Sequence, residues 1–148
     1  MRTHAGRTLN LVLLDDDPDL VRLVSKFLNQ AFDQRLRVVG FTDPTAALDW
    51  IDRECCDILL SDVQMPGTDG LSVLRRAKVR NPWTQVILMT AHSSWESISE
   101  ALENGASDYV LKPIHRDNLL TIVAETYGRI VRWQAAVGNT FALSRAQG

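Results

Sequence analysis

The stretch LNLVLLDDDP, Leu9 through Pro18, decides the fold. Apart from Asn10 its first six residues are apolar without alternation, and three aspartates and a proline then arrive together. A short, continuous apolar run reads as a strand buried on both faces, the kind found in parallel sheets that helices cover on either side. Asp17 before Pro18 reads as a helix start. Its carboxylate can accept from free backbone N–H groups, and proline suits the first helical position. Asp43-Pro44 repeats that signal.

Working outward, four more short apolar runs predict strands at residues 38–41, 57–60, 86–89 and 109–111. Helices fill the intervals. The third is expected over residues 70–80, with Leu71 and Leu74 facing the core and a stop before Pro82. Ser93 and Glu96 have the spacing of a capping box for the fourth, which runs through Ile98, Ala101 and Leu102 and stops at Asn104-Gly105. The last starts near Arg116 with Leu119, Val123, Tyr127 and Ile130 on one stripe, and Ala135, Ala136 and Val137 extend it to Gly138. Trp50 and Trp83 read as packing residues on the second helix and on the turn after the third. Five strands alternating with five helices, joined by right-handed crossovers, give a doubly wound α/β sandwich. Strand order does not follow from the period. Ligands in such sheets bind outside the carboxyl ends of the strands, so chemistry is sought there.

The reactive groups gather at those ends. Asp15, Asp16 and Asp17 close the first strand, Asp62 the third, Thr90 the fourth, and Lys112-Pro113 the fifth. Clustered carboxylates repel one another and call for a cation. With oxygen ligands alone the fitting one is Mg²⁺, which retains waters and leaves places for phosphate oxygens. One carboxylate can attack phosphorus and become an acyl phosphate, while a lysine and a hydroxyl help neutralise the phosphoryl oxygens. Asp17 is assigned to the helix cap, leaving Asp15 and Asp16 for the metal. Asp69-Gly70 reads as a turn leading into a helix.

Composition narrows the classes. The 148 residues fit one domain, expected over residues 8–133, with residues 134–148 as a tail or the start of a linker. Phe141 and Leu143 in that tail are placed to fold back or engage a partner. Lys and Arg total 16 against 18 Asp and Glu, a net charge of −2, with no basic cluster dense enough to track a phosphate backbone, so direct nucleic-acid binding is disfavoured. No apolar run is long enough to span a membrane, and the first ten residues lack a signal-peptide core, which makes the cytoplasm the expected compartment. The two cysteines, Cys55 and Cys56, are adjacent, fit neither a disulfide nor a zinc site, and read as partly buried thiols.

Four segments, LVLLDDDP (11–18), LLSDVQMPGTDG (59–70), VILMTA (86–91) and GASDYVLKP (105–113), occur in the order and at roughly the spacing of a response-regulator receiver of two-component signalling, which the chain resembles over about residues 8–133. The resemblance implies a flavodoxin-like sheet of five parallel strands in the order 2-1-3-4-5. It makes Asp62 the phosphoacceptor and Asp15, Asp16, Asp62 and the backbone carbonyl of Gln64 the Mg²⁺ ligands. Thr90 and Lys112 are then the hydroxyl and ammonium that meet the phosphoryl group, Thr90 and Tyr109 form the switch pair, and the Lys112–Pro113 bond is cis. Implied partners are a sensor histidine kinase or phosphotransfer protein as donor and a downstream output domain or protein. The implied switch face is made by the fourth helix, fifth strand and fifth helix, through which a homodimer is also expected. Such a protein is a switch that catalyses only its own phosphorylation and dephosphorylation. Gln64 and His92 occupy positions that vary among receivers and tune phosphoryl lifetime. The chain is either a stand-alone receiver or one cut from a longer regulator, and the apolar-dotted tail without a structural stop reads as a linker.

A phosphohydrolase of the haloacid-dehalogenase type shares the nucleophilic aspartate, metal, hydroxyl and lysine, but needs a general acid two residues after the nucleophile. Gln64 stands there and cannot transfer a proton. A receiver-like scaffold working without phosphate would be expected to have lost one of the four segments, and all four are present.

Overall fold

A computed structural model describes residues 8–65, 67–91 and 94–147, without the side chains of residues 68, 69 and 140–147. Five strands, β1 (Leu9–Leu14), β2 (Leu36–Phe41), β3 (Ile58–Asp62), β4 (Gln85–Thr90) and β5 (Asp108–Leu111), alternate with α1 (Pro18–Phe32), α2 (Pro44–Arg53), α3 (Gly70–Arg80), α4 (Trp95–Glu103) and α5 (Arg116–Gln147). The strands form one parallel sheet in the order β2-β1-β3-β4-β5. A short antiparallel hairpin, Gln64–Met65 against Thr68–Asp69, lies between β3 and α3 and was not expected from the sequence. It is too short to show a periodic signal.

The strict period of two in each strand divides the core into layers. Leu9, Leu11 and Leu13 of β1, Ile58 and Leu60 of β3, and Ile87 and Met89 of β4 pack with Val24 and Leu28 of α1 and Leu119 and Val123 of α5. The alternate residues Val12, Leu14, Leu59, Val86 and Leu88 pack on Ala47 and Ile51 of α2 and Leu71, Leu74 and Ala77 of α3. Both faces of the sheet are therefore covered, and β1 and β3 are almost wholly buried. Truncating one of these leucines to alanine costs roughly 2–5 kcal/mol.

The caps predicted at Asp17 and Asp43 form: each side chain accepts from the backbone N–H two residues on, at 2.9 and 3.2 Å. The fourth cap falls on Ser94, whose hydroxyl accepts from Ser97 N at 3.1 Å. Ser93 lies outside the described residues; the capping-box spacing to Glu96 pointed to Ser93, but the cap that forms is a single hydroxyl bond one residue later. Trp50 packs on the core, but Trp83 is 74% exposed. Its turn is held by Thr84, whose buried hydroxyl donates to Cys56 O at 2.7 Å, and the indole is left outside. Leu102 is likewise 61% exposed on the outer side of α4. Cys55 is exposed and Cys56 buried, its thiol pushed up to about 12 by burial and then by the neighbouring Asp57 charge.

α5 does not stop at Gly138 but continues to Gln147. A glycine in a helix costs about 1 kcal/mol and ends it only where a left-handed cap or a proline follows. Alanines 135, 136 and 142 favour continuation. Phe141 and Leu143 lie on that extension, and their side chains are outside the described set. Among the described residues, no helix is long and apolar enough to cross a membrane.

Candidate functional site

The parallel register brings the strand ends to one edge. Leu14 pairs with Ser61, Asp62 with Met89, and Thr90 with Leu111, so residues remote in sequence emerge side by side. The ladder continues past the strands. Asp15 N donates to Phe41 O at 3.2 Å, Val63 N to Met89 O at 3.0 Å, and Lys112 N to Thr90 O at 2.8 Å.

Asp15 is fully buried. Its Oδ1 accepts from Asp17 N at 2.9 Å, which ties the acidic turn to the start of α1. Its Oδ2 lies 2.8 Å from the Lys112 ammonium and receives no hydrogen bond of proper geometry among the described residues. The same ammonium stands 3.3 Å from Asp62 Oδ2, while Asp62 Oδ1 accepts from Gln64 N at 3.2 Å. Carboxylate oxygens of Asp15, Asp16 and Asp62 lie within 4.8 Å of one another, with Asp16 exposed to solvent. Three carboxylates this close, one oxygen being buried and under-satisfied, could hold a metal ion. An all-oxygen donor set fits a hard divalent cation.

The charges respond to this crowding. Burial, and then the Asp15 charge, raises the Asp62 carboxyl above its ordinary value. The Gln64 N–H and the Lys112 ammonium pull the other way without cancelling the rise. For Lys112 burial alone would lower the ammonium, but the close approach and charge of Asp15, followed by those of Asp62, outweigh it and hold Lys112 above its ordinary value. One cation thus serves two carboxylates.

Thr90 is nearly buried at the end of β4. A narrow cavity under α4 is lined by Val63, Leu88, Thr90, Ile98, Ala101 and Tyr109, so the threonine and the partly buried tyrosine border one space. The Lys112–Pro113 bond is cis. His92 and Pro66 lie outside the described residues.

Gly70 was read only as a turn residue, and the structure gives it more to do. Its N–H donates to Val63 O at 2.8 Å, and a Cβ at this position would stand 2.2 Å from Asp62 O and 2.8 Å from Val63 Cα. The start of α3 thus lies directly against the backbone that carries Asp62. A glycine eight positions after a strand-end aspartate, at the head of an apolar helical stripe, was the available signal.

Fold and site together define a doubly wound α/β domain with a carboxylate–ammonium cleft at the carboxyl edge of its sheet. The family model for the response regulator receiver domain matches residues 11–124. Among curated relatives, the DNA-binding transcriptional regulator NtrC of Klebsiella pneumoniae is 36% identical over 111 residues, 75% of this chain and 23% of that protein. The C4-dicarboxylate transport transcriptional regulatory protein DctD of Rhizobium meliloti is 33% identical over 116 residues, 75% of this chain and 24% of its own. The chain therefore spans about a quarter of the length of these relatives. Among solved structures, the BeF3-activated DrrB receiver domain superposes with a TM-score of 0.72 at 33% identity, covering 80% of this chain and 97% of that one. This chain belongs to the response-regulator receiver family of two-component systems.

Proposed function

We propose that the chain is a phosphoacceptor switch in which Asp62 takes a phosphoryl group from the phosphohistidine of a sensor kinase or phosphotransfer protein. The observation that carries this reading is the Lys112 ammonium placed 2.8 Å from Asp15 and 3.3 Å from Asp62, at the mouth of a three-carboxylate cluster. In the transfer, an Asp62 oxygen forms a bond to phosphorus as the P–N bond breaks, and the departing imidazole keeps that electron pair. Asp15, Asp16, Asp62 and the Gln64 carbonyl would hold Mg²⁺, which supplies charge neutralisation at the phosphoryl oxygens. Lys112, already poised between two carboxylates, pairs with a phosphoryl oxygen, and Thr90 donates a hydrogen bond to another. The chemistry is confined to this residue's own phosphorylation and dephosphorylation, and the residues at positions 64 and 92 set how long the phosphoryl group lasts.

The output is a change of shape. Drawing Thr90 toward the phosphoryl group vacates part of the space it shares with Tyr109, and the ring moves into it. This repositions α4 against β5 and α5, and that face engages the downstream output partner or a second phosphorylated copy. Moving such an equilibrium from 1:99 to 99:1 requires about 5.5 kcal/mol of differential interaction. Residues 8–133 are the receiver proper, residues 134–148 are its tail or the start of a linker, and α5 continues through that segment to Gln147. The setting is cytoplasmic.

The test uses a small-molecule phosphodonor with Mg²⁺, read by intact mass and amide exchange. Wild type is expected to gain one phosphoryl group and to change exchange at Thr90, α4 and Tyr109, while Asp62→Asn does neither. Equal labelling of the two proteins refutes the acceptor. Exchange changes confined to the loops holding Asp16 and Asp62 refute the switch.

A further inference from the structure

α5 is longer than the body it packs on. Arg129 donates to the side chain of Gln85, the first residue of β4, at 3.0 Å, so at Arg129 the helix is already passing the amino edge of the sheet. From there it runs on to Gln147. The described side chains beyond Ile130 are exposed or half-buried, with Trp133 68% and Val137 48% exposed. By itself an overhang of about four turns is marginal in water.

The stripe that α5 turns toward the core does not end where the body does. Leu119, Val123 and Thr126 are buried, and Ile130 packs on the core. Trp133 and Val137 continue them in the same alternation of four- and three-residue steps. At about 3.6 residues per turn, that spacing keeps all six on one side of the helix. The overhang therefore shows to solvent the side that the rest of the helix shows to its own core. It is also neutral: none of residues 133–144 is Asp, Glu, Lys or Arg.

We propose that the overhang of α5 pairs with the overhang of a second copy of this chain, the two helices antiparallel. A partner chosen by charge finds nothing to recognise on residues 133–144, whereas a second copy supplies an equally neutral stripe that approaches without repulsion. The direction follows from the side the stripe is on. A parallel partner laid on it would run back, toward its own amino end, through the sheet and α1 that occupy that side of the packed half. An antiparallel partner runs outward, its own body lying beyond the far end, and each overhang covers the stripe of the other. Both copies then use the same surface, as a twofold dimer requires. The contact lies at the far end of α5 from the strand-end carboxylates and leaves α4 and β5 uncovered. It needs no phosphoryl chemistry, so it stands or falls apart from the acceptor role of Asp62.

Sedimentation of the full unphosphorylated chain over a range of concentration and salt tests it. A dimer indifferent to salt is expected, because no charge lies on the paired stretch. Val137→Glu should weaken it by at least about tenfold, since each copy would then bury a carboxylate without a partner. Glutamate forms helix better than valine, so the overhang itself is kept, and circular dichroism checks this. Asn139→Glu, exposed on the opposite side of the helix, should leave the dimer as it was. Spin labels on Glu125→Cys, in a Cys55→Ser background with Cys56 buried, read the direction. They should stand roughly 35–55 Å apart in the antiparallel pair, against under about 25 Å in a parallel one. A chain monomeric throughout overturns the proposal, as does a dimer that Val137→Glu leaves intact or that Asn139→Glu breaks equally. So does the short label distance, a dimer that salt dissociates, or one broken instead by Leu111→Asp on β5.

Discussion

Gly70→Ala should damage the site although the residue carries no reactive group. The added methyl would stand 2.2 Å from Asp62 O, 2.8 Å from Val63 Cα and 3.0 Å from the Asp62 carbonyl carbon. All three are backbone atoms, so no side chain can rotate away, and either α3 or the end of β3 must move. Overpacking of this sort costs roughly 1–3 kcal/mol, and the backbone contacts place this case toward the upper end. Alanine returns about 0.5–1 kcal/mol through its better helix propensity, which leaves a net loss of about 2 kcal/mol. Gly67→Ala is the control. That residue has φ +80° with nothing within 4 Å of its would-be Cβ, so only the conformational strain of about 1–2 kcal/mol applies and Asp62 stays in place. Urea unfolding measures the stabilities, and the rate of labelling by a small-molecule phosphodonor measures the site. Gly70→Ala should lose labelling as well as stability, and Gly67→Ala should lose stability alone. If Gly70→Ala labels at the wild-type rate and unfolds at the wild-type midpoint, the close approach of α3 to the acceptor strand is not what holds Asp62.

Two further outcomes follow from the acidic turn and its cation. Asp17→Ala should destabilise by about 1 kcal/mol in thermal or urea unfolding while Asp17→Asn stays near wild type, because either residue caps a helix; metal affinity, read by fluorescence or calorimetry, should be nearly unchanged in both. Lys112 is held above its ordinary value, so its contribution is complete below pH 10.5 and fades as pH rises through the higher folded-state value. Asp62 is raised from its ordinary 3.8, so its ionisation costs stability as pH climbs through and above that value. Unfolding across pH should therefore show an alkaline decline that Lys112→Met lacks, and Asp62→Asn should exceed wild type in stability at neutral pH.

Much of this was legible because strands and caps write their own signals. LNLVLL followed by DDDP carried a buried strand, a strand-end carboxylate pair and a cap within ten residues, and each falls where the local pattern places it. The pairing of Lys112 with Asp15 was implied only by where strands end, since 97 positions separate the two residues and the parallel register joins them. Gly70 was passed over because an Asp-Gly dipeptide is ordinary turn chemistry, and its role arises only when another strand's backbone comes within contact distance. Trp83 misled for the converse reason: a large aromatic in a turn suggests burial, but the turn's buried anchor is the small Thr84. The run of α5 past Gly138 was hidden by giving one glycine more weight than the alanines around it.

The central claim, a covalent phosphoryl group on Asp62, is tested most directly by trapping the bond itself. Protein treated with phosphodonor and Mg²⁺ is reduced with borohydride, which converts an acyl phosphate of aspartate to homoserine, and is then sequenced by tandem mass spectrometry. Homoserine at position 62 and at no other aspartate is the expected result. Homoserine at position 15 or 16, or a phosphorylated protein that yields none, would contradict the account.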